Sequence, residues 1–150
     1  MIILLLVVAA LVLGSIAATA AAPTFVAMLA SGHTQNQFAF MTGMATAVHN
    51  YQIDHAGSFP SSTFFQQPSA YAPTIPVDPL DPTNATAFTV TIYTNSYGDQ
   101  GYVITDAVPH PSHTLDGLPQ YPGPGVPPAA KCQDNCTKIV YDPTFGTMGQ

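Results

Sequence analysis

Charge is what this chain has least of. Its 150 residues include no Arg, no Glu and no Trp, and only two lysines, Lys131 and Lys138. Charged residues make up 7% of the chain, against roughly 25% in ordinary globular proteins. The formal net charge is −6, and the first charged side chain is Asp54. Each absence excludes something. Two lysines cannot form the basic stripe that holds a nucleic-acid backbone. Without Arg or Glu there are no guanidinium clamps and no glutamate acid/base pairs. Disorder is excluded from the other side, because 47% of the residues are hydrophobic. The length fits one domain with a real core.

What is present begins with apolar residues. Residues 2–13 are continuously apolar, and the character persists to Ala30. A helix crosses a bilayer with about 20 such residues. Three readings compete. A secretory signal peptide would be cleaved near Ala20, Ala21 and Ala22, but it would lack a basic start, and Pro23 follows the site directly. A permanent anchor would lack flanking positive charges. The third reading is an apolar helix that sits first in the membrane and then packs against copies of itself.

The pattern Met1, an apolar run, Gly14 and Pro23 resembles the mature N-terminus of the type IV pilin and pseudopilin family. The resemblance implies a removed leader and an N-methylated Met1. It also implies an assembly interface over Met1, Ile2, Leu5, Leu6, Leu13, Gly14 and Pro23. Family members nearly always carry glutamate at the fifth position, where this chain has Leu5. A buried terminal amine without that partner costs several kcal/mol. Backbone carbonyls, Ser15 or Thr19 would have to serve, or the chain is a tip subunit.

Helical spacing resumes after Pro23. Phe38, Met41, Ala45, Val48 and Gln52 recur at three and four residues, widened by Met44 and Tyr51. Gly57 would end the helix beside Ala56. Counted from residue 1, that is one helix of about 55 residues, or ~80 Å, kinked or unwound between Gly14 and Pro23. The run Tyr51, Asp54, His55, Gly57, Phe59, Pro60, Ser61 resembles the way pilins leave their helix. In this reading residues 1–24 form the apolar half for membrane and filament core. Residues 25–150 form the head.

Residues 60–86 read as a proline-rich surface loop with Asp-Pro turns at Asp78 and Asp81. Residues 87–94 alternate apolar side chains with Thr, and 102–108 form a second strand pattern. Phe88, Val90 and Ile92 are expected to face the helix. Residues 109–130 are rich in Pro and Gly and read as a long exposed loop. Residues 138–142 give a third strand. The order of strand, Cys136, strand and Gly146 resembles pilin C-termini. The expected fold is therefore α+β and pilin-like, a long N-terminal helix on an antiparallel sheet of about three strands.

The only cysteines are Cys132 and Cys136. A domain exported past an anchor sits in oxidising space, so a disulfide is expected. Its short loop is worth about 2 kcal/mol, less than a long loop's closure. Pilins usually close a longer one. Asp106, His110, His113 and Asp116 could chelate a metal, but Pro111 prevents a helix from aligning the pair, and a solvated loop is the expectation. Asp78, Asp81 and Asp99 could form a calcium site, as some related pseudopilins have, though turn chemistry explains two of them. The reading assigns no metal and no cofactor. Asn84 and Asn135 start glycosylation sequons, with Asn84 the better candidate. No nucleophile elbow appears, and no enzyme is expected. The resemblance implies a structural subunit of a surface filament for attachment, motility, conjugation or DNA uptake. Its partners would be identical copies, the membrane before assembly and the pilus assembly machinery. A minor pseudopilin and a membrane-anchored binding domain are the alternatives.

Overall fold

The computed structural model describes residues 32–111, 114–127, 130–133 and 136–150. Helix α1 covers residues 32–54 of these, about 34 Å at 1.5 Å per residue. Four strands follow: β1 (Phe88–Thr94), β2 (Gln100–Asp106), β3 (Ile139–Asp142) and β4 (Gly146–Gly149). They form one antiparallel sheet in chain order.

The expected pilin-like fold needs correction. Among the described residues there is no long apolar N-terminal helix, and no helix is long and apolar enough to cross a membrane. The sheet has four strands rather than about three. Gly14, Pro23 and the boundary at residues 24 and 25 lie outside the described residues. The extra strand has a local cause. Asp142 Oδ1 accepts from Thr144 N at 2.7 Å, and Phe145 N donates to Asp142 O at 3.2 Å. Gly146 then takes a φ of 83°. A turn closed by a left-handed residue brings the chain back as a hairpin.

Helix α1 buries one face. Thr34, Gln37, Met41, Met44, Ala45 and Val48 recur at helical spacing and are all buried. Phe38 and Gln52, expected on this stripe, are only half-buried. The helix ends with Ala56 at φ 53° and Gly57 at φ 85°. Gly57 N donates to Gln52 O at 2.7 Å, which puts Ala56, not Gly57, at the left-handed position of a Schellman cap. Tyr51 stacks on His55 at 3.9 Å, and Phe59 folds back to within 6.1 Å of the Tyr102 ring.

Phe88, Val90, Tyr102, Ile104 and Ile139 form the helix-side core with Met41, Val48, Phe65 and Leu115. Ile92, expected beside Phe88 and Val90, is 43% exposed. Its ladder partner Tyr102 takes the helix contact instead, through a hydroxyl bond to Ala45 O at 3.3 Å. On the other face the Tyr93 ring covers Gly101 so closely that a Cβ there would meet it at 2.6 Å. Its hydroxyl reaches Asp142 Oδ2 on β3 at 2.9 Å.

The two proline-rich segments are more than surface loops. The first buries Phe65 completely, and the second buries His110 and Leu115. Pro119 and Tyr121 then bond Gly149 on the edge strand, at 3.0 and 2.8 Å. Covering an edge in this way protects it from further strand pairing.

An L-residue in the left-handed region costs about 1–2 kcal/mol, part of which a glycine returns through unfolded-state entropy. Ala56→Gly should therefore raise unfolding stability by about 0.5–1 kcal/mol, measurable by urea denaturation. An unchanged or lower midpoint would contradict the cap assignment.

Candidate functional site

Three chain segments bring titratable side chains together under the start of α1. Asp78 comes from the first proline-rich segment, where Asp78 and Asp81 pair in an isolated bridge. Asp106 ends β2 on the helix side, opposite Phe88. His110 follows four residues later, held by its own N–H bond to Thr137 O at 2.7 Å. Asp78 and Asp106 are 0% exposed and His110 is 2% exposed.

The bonds within the cluster are short. His110 Nε2 lies 2.9 Å from Asp78 Oδ2 and 3.4 Å from Asp106 Oδ2. Helix α1 supplies the roof. Thr34 Oγ1 is 3.0 Å from His110 Nδ1, and Gln37 Nε2 donates to Asp106 Oδ2 at 2.9 Å. Backbone amides hold the outer carboxylate oxygens. Leu80 N donates to Asp78 Oδ1 at 2.5 Å and Val108 N to Asp106 Oδ1 at 3.0 Å. Among the described residues, Asp78, Asp106 and His110 form the group whose donor atoms could share a metal ion, all lying within 4.8 Å of one another.

Burial alone would push the His110 imidazole down. Hydrogen bonds and charge from Asp106 and Asp78 outweigh it and raise the pKa to about 9. Burial works to raise Asp78, but bonds from His110, Asp106 and the Leu80 amide bring it down to about 2. Asp106 moves up, through burial first and then through Asp78 beside it. The cluster thus pairs a charged imidazole with Asp78 and makes Asp106 the carboxyl that keeps its proton longer.

The sequence sets named above are redistributed. His110, expected in a solvated loop, is interior, as is Asp106 at the end of the expected second strand, while Asp116 is exposed and His113 lies outside the described residues. Asp78 leaves the calcium set for this cluster. Asp81 accepts from Thr83 Oγ1 at 2.9 Å, and Asp99 lies in the β1–β2 turn, bonded by Asn95. The cluster joins residues 28 and 32 positions from Asp78, too far for any spacing motif to reveal. The only local signal was that Asp106 and His110 stand four apart.

Cys132 and Cys136 form a disulfide, buried in the core and packed on Gly149, where no side chain would fit. Asn84 Oδ1 accepts from Thr86 N at 3.1 Å and Thr86 Oγ1 at 2.9 Å, and Asn135 lies outside the described residues. Met1, Ile2, Leu5, Leu6, Leu13, Gly14 and Pro23 lie outside them as well. Helix α1 also borders an apolar groove of about 260 Å³, lined by Ala39, Phe40, Gly43, Ala47, Phe65 and Tyr71 among others.

No family model, no curated protein and no solved structure matches the chain.

The pH dependence of stability follows from the cluster in metal-free buffer. His110, raised from 6.5 to about 9, contributes fully below pH 6.5, and this is lost as pH rises through 9. Asp78, lowered from 3.8 to about 2, contributes above 3.8 and is lost as pH falls towards 2. Asp106, raised, acts in the opposite sense and favours the lower side. Stability measured by thermal melts in EDTA should be greatest between pH 4 and 6.5. His110→Ala should cost about 3–5 kcal/mol at pH 6 and abolish the alkaline decline.

Proposed function

We propose that the chain is the structural subunit of an extracellular filament of the type IV pilus kind. It polymerises through its apolar N-terminal segment, and the described head is the part displayed outside. One observation carries the reading: the absence of charge does not stop where the head begins. It runs through α1 to Asp54. The exposed side of α1 presents Phe40 at 44% and, towards its end, Ile53 at 65%. The groove beside it has no charged residue in its lining. A segment that passes from a bilayer to a dry protein interior must avoid unpaired charge at each stage, and this one carries no charged side chain before Asp54.

On this reading the partners are identical copies, with the inner membrane as the store before assembly and an assembly machinery to extract the chain. The place of action is the cell surface. Attachment, motility, conjugation and DNA uptake are the activities such a filament serves. The cluster of Asp78, Asp106 and His110 is enclosed by α1 and holds the head together, so the reading gives it no catalytic step.

The test is negative-stain microscopy of material sheared from cells that express the chain. Thin helical filaments containing it are the expected result. Leu6→Asp and Leu13→Asp should each reduce sheared filament by tenfold or more, because a carboxylate would enter an apolar contact. Filaments that persist in both variants would sink the proposal. Chain that stays wholly with the membrane fraction would favour an anchored binding domain instead.

A further inference from the structure

We propose that Asp78, Asp106 and His110 form a structural binding site for a divalent transition-metal ion of the zinc class. The inference is independent of the filament reading. Its first support is the direction of the donors. The outer atom of each side chain is engaged from outside the cluster: His110 Nδ1 by Thr34 Oγ1, Asp78 Oδ1 by the Leu80 amide, Asp106 Oδ1 by the Val108 amide. In its neutral form, with Nδ1–H donating to Thr34, His110 turns a lone pair on Nε2 towards two carboxylate oxygens. Three acceptor atoms then converge on one buried point. In the metal-free protein a proton on Nε2 fills that point, and a divalent ion would displace it.

The second support is size. Zinc binds imidazole nitrogen and carboxylate oxygen at about 2.0 Å, so tetrahedral neighbours lie about 3.3 Å apart. The observed separations from Nε2 are 2.9 and 3.4 Å. Admitting the ion needs shifts of a few tenths of an ångström. Gln37, 1% exposed, donates from Nε2 to Asp106 Oδ2 at 2.9 Å and so holds that ligand in place, while a water would complete the four-coordinate set. Calcium wants six to eight oxygens and magnesium keeps several waters. A buried site of one imidazole and two carboxylates offers neither.

The third support is charge. Two carboxylates and a neutral imidazole sum to −2, which one divalent ion cancels. Two protons could cancel it as well, and that is the rival account. A cleft of about 270 Å³ lined by Asn36, Gln37, Phe40, Val77 and Pro79 lies on the Gln37 side, against the residues that flank Asp78.

The experiment uses the full chain in detergent, stripped with EDTA and titrated with zinc chloride, with calcium chloride in parallel. Native mass spectrometry should show one zinc per chain, and the thermal midpoint should rise with zinc and not with calcium. Cobalt chloride should give the visible bands of a tetrahedral site. Asp78→Asn and Asp106→Asn should each weaken zinc binding at least tenfold, and Thr34→Val, which keeps every ligand, about tenfold. His49→Ala, on the exposed face of α1, should leave binding unchanged. No zinc retained and no midpoint shift would overturn the proposal and leave a clasp held by protons. An equal response to calcium, or binding indifferent to the Asp78 and Asp106 variants but lost in His49→Ala, would overturn it too.

Discussion

The head depends on one contact between groups that water would otherwise keep apart: the imidazole of His110 against the carboxylates of Asp78 and Asp106. Each of the three arrives from a different part of the chain, and each brings backbone with it. Asp78 fixes the first proline-rich segment. Asp106 fixes the end of β2. His110 fixes the start of the second proline-rich segment, and through its own amide it reaches Thr137, just before β3. Thr34 and Gln37 then dock the helix on all of them. Apolar packing along Met41, Val48, Phe88 and Ile104 supplies most of the driving force, but it is non-directional. The cluster is what gives the helix one position along the sheet. A half-satisfied set of such groups would be worse than none, and here every outer atom has a partner.

This use of charge inverts the usual arrangement. The chain has few ionisable groups, and three of its aspartates, Asp78, Asp106 and Asp142, are entirely buried. Asp142 works on the far face of the sheet much as Asp106 does on the near face. It ends a strand, caps the following turn through Thr144 N, and takes a long-range bond from Tyr93. Among the described residues the exposed charges are Asp54, Asp99, Asp116, Lys131 and Lys138, thinly spread among Thr, Ser, Asn and Gln. Scarcity of charge outside and concentration of charge inside are two sides of one composition.

The elements carried by local periodicity were legible. The stripe of Met41, Ala45 and Val48 located the helix face, the alternation at residues 87–94 located β1, and His55, Ala56 and Gly57 marked the helix end. What depended on distant contact was not legible. The pilin-like fold was inferred by extending a local pattern to the whole N-terminal third, and the described helix and four-stranded sheet do not support it. Strand β4 was missed because Gly146, Thr147, Met148 and Gly149 are too few and too plain to show a period. The interior positions of Phe65, Leu115 and His110 were missed because proline content argues for exposure only on average. Asp78 joined the cluster from 28 residues away, and no rule of spacing spans that gap.

The place of the cluster along α1 has a mechanical consequence. Thr34 and Gln37 lie within the first turns of the described helix, directly after the apolar stretch. Tension applied to the chain at its N-terminal side therefore enters the folded head at these two residues before it reaches Met41 or Val48. From there it divides, through His110 to the strap leading to β3 and through Asp106 into the hydrogen-bonded ladder of β2. The load is shared between the two inner strands, entering at the end of β2 and just before the start of β3.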